Sequence, residues 1–195
     1  LLPSAKLMSV DEVYDISKTF VDEGVDKIRL TGGEPLVRKD FEKIARRLST
    51  LPAELAISTN GILVDKYIPL FKEIGLNKIN LSLDSLNAEK FKHITRRDHF
   101  EKVMQNLQLL LDNGFEVKIN VVLMKDFNED EVLDFIEFTR DKDISVRFIE
   151  FMPFGGNNWK SDKLVSLASI LEKAETAFGQ KLIRLSDDEH DTTKN

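Results

Sequence analysis

The chain has 195 residues, 42% of them hydrophobic and 32% charged, with a formal net charge of −6 and no cysteine. That length and composition suit one soluble globular domain with a substantial core. The interspersed, net acidic charge disfavours broad nucleic-acid binding while leaving room for a local basic site, no apolar run approaches the ~20 residues of a membrane span, and neither disulfides nor thiolate metal sites can be built.

The N-terminus, Leu1-Leu2-Pro3-Ser4, lacks both an initiator Met and a charged leader, so it is expected to be the interior of a longer chain rather than a signal peptide. Ser9-Val10-Asp11-Glu12 reads as a capping box; Val13, Ile16 and Phe20 follow at helical spacing, and Gly24 stops the helix. Lys27 to Leu30 reads as a buried strand that leaves through the turn Thr31-Gly32-Gly33-Glu34-Pro35. Phe41, Ile44, Leu48 and Leu51 predict a second helix ended by Pro52. Leu55 to Ser58 predicts a second strand, and Ile68, Phe71 and Ile74 a helix closed by Gly75. Lys78 to Leu83 is the third expected strand, followed by a short helix from Leu86 to Thr95 and a break at Arg96-Arg97-Asp98. Phe100, Val103, Leu107, Leu110 and Leu111 predict a long helix ended by Gly114.

Glu116 to Met124 predicts a fourth strand, and Asn128-Glu129-Asp130-Glu131 a capping signal for a helix carrying Val132, Phe135, Ile136 and Thr139. Ser145 to Phe151 predicts a fifth strand. Pro153 to Asp162, which holds Gly155-Gly156-Asn157-Asn158, is a site loop or a linker. Ser166 to Phe178 predicts a last helix ended by Gly179, Gln180 to Leu185 one more strand, and Ser186 to Asn195 a polar tail. Strands separated by helices imply right-handed crossovers and an α/β fold with a parallel sheet. Residues 1–185 are expected to form that core.

In parallel βα folds, ligands gather at the C-terminal ends of the strands. There the paired glycines Gly32 and Gly33 allow close approach to backbone, and Glu34 offers a carboxylate to a cation. Ser58-Thr59-Asn60-Gly61 closes the second strand and Ser82-Leu83-Asp84-Ser85 the third. Lys118 and Asn120 share one face of the fourth strand, and Arg147 and Ile149 one face of the fifth. Plainer readings stand beside each: a tight turn at the glycines, a solvated face for Lys27 and Arg29, a helix cap at Asp84-Ser85, a gap-filling Met152. His93, His99 and His190 show no ligand spacing. Five successive strands delivering polar groups to one edge, where packing alone would use apolar residues, point to a site.

The Gly-Gly-Glu-Pro turn resembles the S-adenosylmethionine-binding motif of radical S-adenosylmethionine enzymes. Together with Ser-Thr-Asn-Gly at 58–61, Asn-Leu-Ser-Leu-Asp-Ser at 80–85, Lys-Ile-Asn-Val-Val at 118–122 and Arg-Phe-Ile-Glu-Phe-Met at 147–152, it resembles the GTP 3′,8-cyclase family of molybdenum cofactor biosynthesis. The resemblance implies an incomplete parallel (β/α)6 TIM-like barrel. It implies a cytoplasmic enzyme that cleaves S-adenosylmethionine at a 4Fe–4S cluster, takes hydrogen from the ribose C3′ of GTP and joins that carbon to C8 of guanine. It implies contacts to S-adenosylmethionine at Gly32, Gly33, Glu34, Ser82 and Met152, contacts to GTP at Arg29, Thr59 and Lys118, and weaker triphosphate contacts at Lys27 and Arg147.

The family also carries three cysteines for one cluster before this region and three for a second cluster after it. The chain starts after the first set and stops before the second, so a central piece without turnover of its own is expected. The missing first strand is expected to leave a sheet edge that invites pairing with a second copy. Two other readings are a peptide-modifying radical S-adenosylmethionine enzyme, which Arg29, Lys118 and Arg147 disfavour, and an inert βα scaffold that binds phosphate.

Overall fold

A computed structural model describes residues 7–153 and 160–179. Gly155-Gly156-Asn157-Asn158, the strand expected at 180–185, the polar tail and His190 lie outside the described residues.

Helix α1, Val10–Asp22, opens with the expected capping box: Glu12 N–H donates to Ser9 Oγ at 3.2 Å, and Ser9 N–H to Glu12 Oε2 at 2.7 Å. Strand β1 is Lys27–Leu30, helix α2 Phe41–Leu48, strand β2 Glu54–Thr59, helix α3 Val64–Glu73 and strand β3 Lys78–Ser82. Two helices follow β3, α4 at Ala88–Thr95 and α5 at Phe100–Asp112. Strand β4 is Glu116–Leu123, helix α6 Val132–Phe138, strand β5 Ile144–Glu150 and helix α7 Leu167–Phe178.

All four strand pairings are parallel, and the sheet order is β1-β2-β3-β4-β5. This is an α/β fold with the parallel sheet of a partial barrel. Its two faces differ in chemistry. The helix side is apolar: Leu55, Ile57, Ile79, Leu81, Val117, Ile119 and Val121 are all buried. Aromatic side chains from the helices pack over them, with Phe41 edge-on to Tyr67 at 5.2 Å and Phe71 edge-on to Phe115 at 6.2 Å. The opposite face carries the charged and amide side chains described below.

Two expectations need correction. Asp84-Ser85 does not cap α4; the N-cap is Asn87, whose Oδ1 accepts from Glu89 N–H at 3.0 Å and Lys90 N–H at 3.1 Å. Asn128 does not cap α6 either. Its side chain spans the loop after β4, accepting from Met124 N–H and donating to the carbonyls of Asp84 and Val122. Asp84 and Asn128 serve contacts 38 and 44 residues distant in sequence, respectively, which local pattern does not encode.

Candidate functional site

The turn after β1 and the end of β2 form one unit. Glu34 turns back into the protein: Thr59 Oγ1 donates to its Oε1 at 2.8 Å, Leu36 N–H to Oε1 at 3.1 Å, and Asn60 N–H to Oε2 at 2.7 Å. Oε2 keeps one acceptor position for a further donor. Thr59, with 3% of its surface exposed, also accepts from Gly61 N–H at 3.1 Å. Its hydroxyl is therefore engaged with Glu34 and the turn. In the register Thr59 pairs with Leu81 on the helix side, whereas Ser58 pairs with Asn80 on the other face.

Above the turn lies a cavity of about 180 Å³ lined by Thr31, Gly32, Gly33, Glu34, Ser58, Thr59, Asn60 and Ser82. Gly32 has φ +139°, a conformation side-chain-bearing residues rarely adopt, and a Cβ on Gly32 or Gly33 would point into open space. Gly61 meets a different demand: its φ is +77°, and an added Cβ would lie 2.5 Å from Leu81 Cδ1 in the core.

Lower on the same face is a second, smaller cavity of about 20 Å³. Its lining includes Lys27, Arg29, Lys78, Asn80, Glu116, Lys118 and Arg147. The register explains the gathering. Lys27 lies beside Glu54, Arg29 beside Ala56, Ala56 beside Lys78, Lys78 beside Glu116, Asn80 beside Lys118, and Asn120 beside Arg147. Side chains of paired residues in a parallel sheet emerge on one face, so alternate positions of five strands create a cationic surface. Lys27 donates to Glu54 at 2.8 Å and Lys78 to the same carboxylate at 2.5 Å, with Glu116 3.9 Å from Lys78. Arg29 is exposed and has no ion pair among the described residues.

The polar residues thus lie at two levels rather than on the single edge expected from sequence. Gly32, Gly33, Glu34 and Ser82 sit at the upper rim. Lys27, Arg29, Lys118 and Arg147 lie below it. The four residue steps from Lys27 to Thr31 span roughly 13 Å. Met152 follows β5, is 58% exposed and lines neither cavity. Lys78 and Glu54 were missed by sequence reasoning; the period-2 rule applied across the register would have found them. Asn120 Oδ1 is buried without a hydrogen-bond partner among the described residues, an acceptor that a ligand donor would satisfy.

A buried carboxylate braces the loops beside the rim. Glu131, 5% exposed, accepts from Ser85 Oγ at 2.9 Å and Leu86 N–H at 2.7 Å, and lies 3.2 Å from Lys90 Nζ. Next to it, Asp84 accepts from Val122 N–H at 2.8 Å. Burial raises the Asp84 carboxyl above its ordinary value, and the Val122 bond offsets this only in part.

The sheet, the glycine turn at the C-terminal end of its first strand and the cavity above that turn define a protein of the radical S-adenosylmethionine class. The sequence pattern of the Radical SAM superfamily matches residues 2–139, and the chain belongs to that superfamily. Within it, the chain is closely related to proteins of molybdenum cofactor biosynthesis and to GTP 3′,8-cyclases. It is 46% identical to molybdenum cofactor biosynthesis protein moc-5 of Caenorhabditis elegans, covering 100% of this chain and 33% of that protein. It is also 46% identical to the mitochondrial GTP 3′,8-cyclase of Arabidopsis thaliana, covering 100% and 50%, and 44% identical to the GTP 3′,8-cyclase of Listeria monocytogenes, covering 90% and 54%. The chain therefore spans between about a quarter and about half the length of the curated relatives it matches.

Among solved structures, anSMEcpe with bound AdoMet and Cp18Cys peptide has a TM-score of 0.69 at 19% identity, covering 88% of this chain and 52% of that one. TYW1 with a lysine-pyruvate adduct has a TM-score of 0.63 at 16% identity, covering 92% and 63%. These likenesses show the fold.

The iron–sulfur cluster that the superfamily implies does not fit the residues of this chain. The 195 residues include no cysteine, and among the described residues no group of three or more His, Asp or Glu is placed to hold a metal ion. S-adenosylmethionine fits better: the open space over Gly32 and Gly33 and the free acceptor position on Glu34 suit the amino-acid end of such a ligand.

Proposed function

We propose that the chain is the central βα core of a GTP 3′,8-cyclase acting in molybdenum cofactor biosynthesis, and that its own part is to bind and orient the two small molecules. The observation that carries this reading is the cationic face formed by Lys27, Arg29, Lys78, Lys118 and Arg147, below a glycine turn built for close approach. A triphosphate requires several cations around one groove, whereas a peptide substrate does not. S-adenosylmethionine, when bound, supplies the radical precursor in such enzymes. Here Gly32, Gly33 and Ser82 would bound its amino-acid end, Glu34 would accept from its ammonium group, and Met152 would approach from the end of β5. Arg29, Lys118 and Arg147 would neutralise the nucleotide's phosphates, and Ser58 and Asn80 would line the path between the two ligands. GTP and S-adenosylmethionine are thus the proposed partners, with the clusters held by cysteines of other segments.

The test is lysine acylation of the chain with a soluble active ester, read by peptide mass spectrometry. GTP is expected to lower labelling of Lys118 by about fivefold or more, the protection expected of a site mostly filled, while unrelated peptides leave it unchanged. Equal labelling with and without GTP, or equal protection by peptides, would overturn the assignment.

A further inference from the structure

Asn106 is an amide among apolar side chains. It lies on the inner face of α5 with Val103, Leu107 and Leu110, all buried, and is itself 2% exposed. Its Nδ2 donates to two backbone carbonyls of the loop after β2, Gly61 O at 2.7 Å and Ile62 O at 3.1 Å. A carbonyl oxygen only accepts, so these two contacts fix which way the amide faces. The same helix holds the loop region at two further points. A Cβ on Gly61 would lie 3.4 Å from Val103 Cγ1, and Lys102 Nζ donates to Asp65 of α3 at 2.7 Å. The pinned loop presents a donor to the site: Asn60 N–H reaches Glu34 Oε2 at 2.7 Å, and Ile62 N–H closes a turn on Asn60 Oδ1 at 3.0 Å. Asn106 is thus joined to Glu34 through Asn60, Gly61 and Ile62, although it lines neither cavity.

We infer that Asn106 is a positioning residue for the ligand's ammonium group. By pinning the loop it holds Asn60 N–H, and with it the Glu34 carboxylate, so that an acceptor position stays aimed at the cavity over Gly32 and Gly33. The inference rests on the S-adenosylmethionine reading above and deepens it, adding a side chain on the far side of the sheet that touches no ligand. Without the two donated bonds the loop is free to shift, and Glu34 loses a firm hold on one of the three donors that orient it. An ammonium group then meets a carboxylate that must be ordered on binding, and that cost comes off the affinity. A ligand without an ammonium makes no bond to Glu34 and loses nothing. Asn106 therefore sets a difference between two ligands, not a common level for both.

The experiment is an NMR titration of the intact chain with S-adenosylhomocysteine and with its deamino analogue, which keeps the carboxylate and carries hydrogen in place of the ammonium. The native protein is expected to prefer S-adenosylhomocysteine by about tenfold or more, the worth of one charge-assisted hydrogen bond. Asn106→Leu, which keeps the bulk and removes both donors, is expected to cut that preference to about threefold or less by weakening S-adenosylhomocysteine alone. Leu110→Ala, one turn further along the same helix, should lower the urea midpoint and keep the native preference, which separates positioning from loss of stability. An unchanged preference in Asn106→Leu overturns the role of Asn106 and leaves the ligand reading standing. Absence of binding, or of any preference, in the native protein overturns the ligand reading and this inference with it. Should Asn106→Leu not fold, amide exchange in the native protein decides. S-adenosylhomocysteine, and not the analogue, should slow exchange of Asn60 N–H and of the Asn106 side-chain amide by the same factor, because a ligand that selects the pinned loop stabilises the pin in return. Protection of Asn60 without Asn106 overturns the inference.

Discussion

Glu131 shows how much of the rim depends on one side chain. Its carboxylate serves Ser85, Leu86 and Lys90 from within the protein, so Glu131→Ala would leave the part-buried Leu86 N–H without its acceptor and the buried Ser85 hydroxyl with only the Asn87 carbonyl, 3.2 Å away. The expected cost is about 3 kcal/mol, measured as a lower urea midpoint with an unchanged slope. Asp84 carries the opposite sign. A carboxyl raised by burial is protonated in the folded state before the unfolded one, so its charge costs stability above the folded pKa. That penalty disappears as pH falls to the unfolded carboxylate range. Asp84→Asn, which retains an acceptor for Val122 N–H, should raise Tm at pH 7 by roughly 2–4 °C, the effect of ~1 kcal/mol in a domain of this size. The gap between variant and native protein should shrink on acidification to pH 4; a gap that grows would contradict the assignment. The glycine turn, Ser82, Arg29 and Lys118 were legible in the sequence because their types and strand positions are local facts. The engagement of Glu34 by Thr59 was not, because it joins residues 25 apart through a register that only pairing defines.

Helix boundaries followed local chemistry closely. The capping box at Ser9 and the glycines after α1, α3, α5 and α7 lie where the pattern predicted. Helix α1 departs from its pattern in another way. Val13 and Tyr14 pack on the core, whereas Ile16 and Phe20 remain 48% and 59% exposed, with Val25 at 38% just before β1. Strand β1 pairs only with β2 among the described residues. An unpaired strand edge beside uncovered apolar side chains favours association with another strand. Sedimentation velocity of the purified chain is expected to show a dimer or larger species growing with concentration, and Ile16→Lys with Phe20→Lys should reduce it. A monomer boundary at every concentration would dismiss this.

At the scale of the molecule, one sheet with an apolar and a cationic face accounts for both stability and the proposed chemistry. The helices can bury only one side, so the other is free to carry charges that a core would reject. The alternation of strands and helices foretold that arrangement. The division into two levels did not follow from it, because the heights of residues on different strands are set by the stagger between them. Strand order has a last consequence. Among the described residues each strand pairs only with its predecessor and successor in the sequence, so the sheet is a queue in which every pairing closes over one helical crossover. Such a chain needs no distant partner before it begins to organise; each unit emerging from synthesis can settle against the one already in place. Losing a member from either end shortens the queue by one pairing and leaves the order of the others intact.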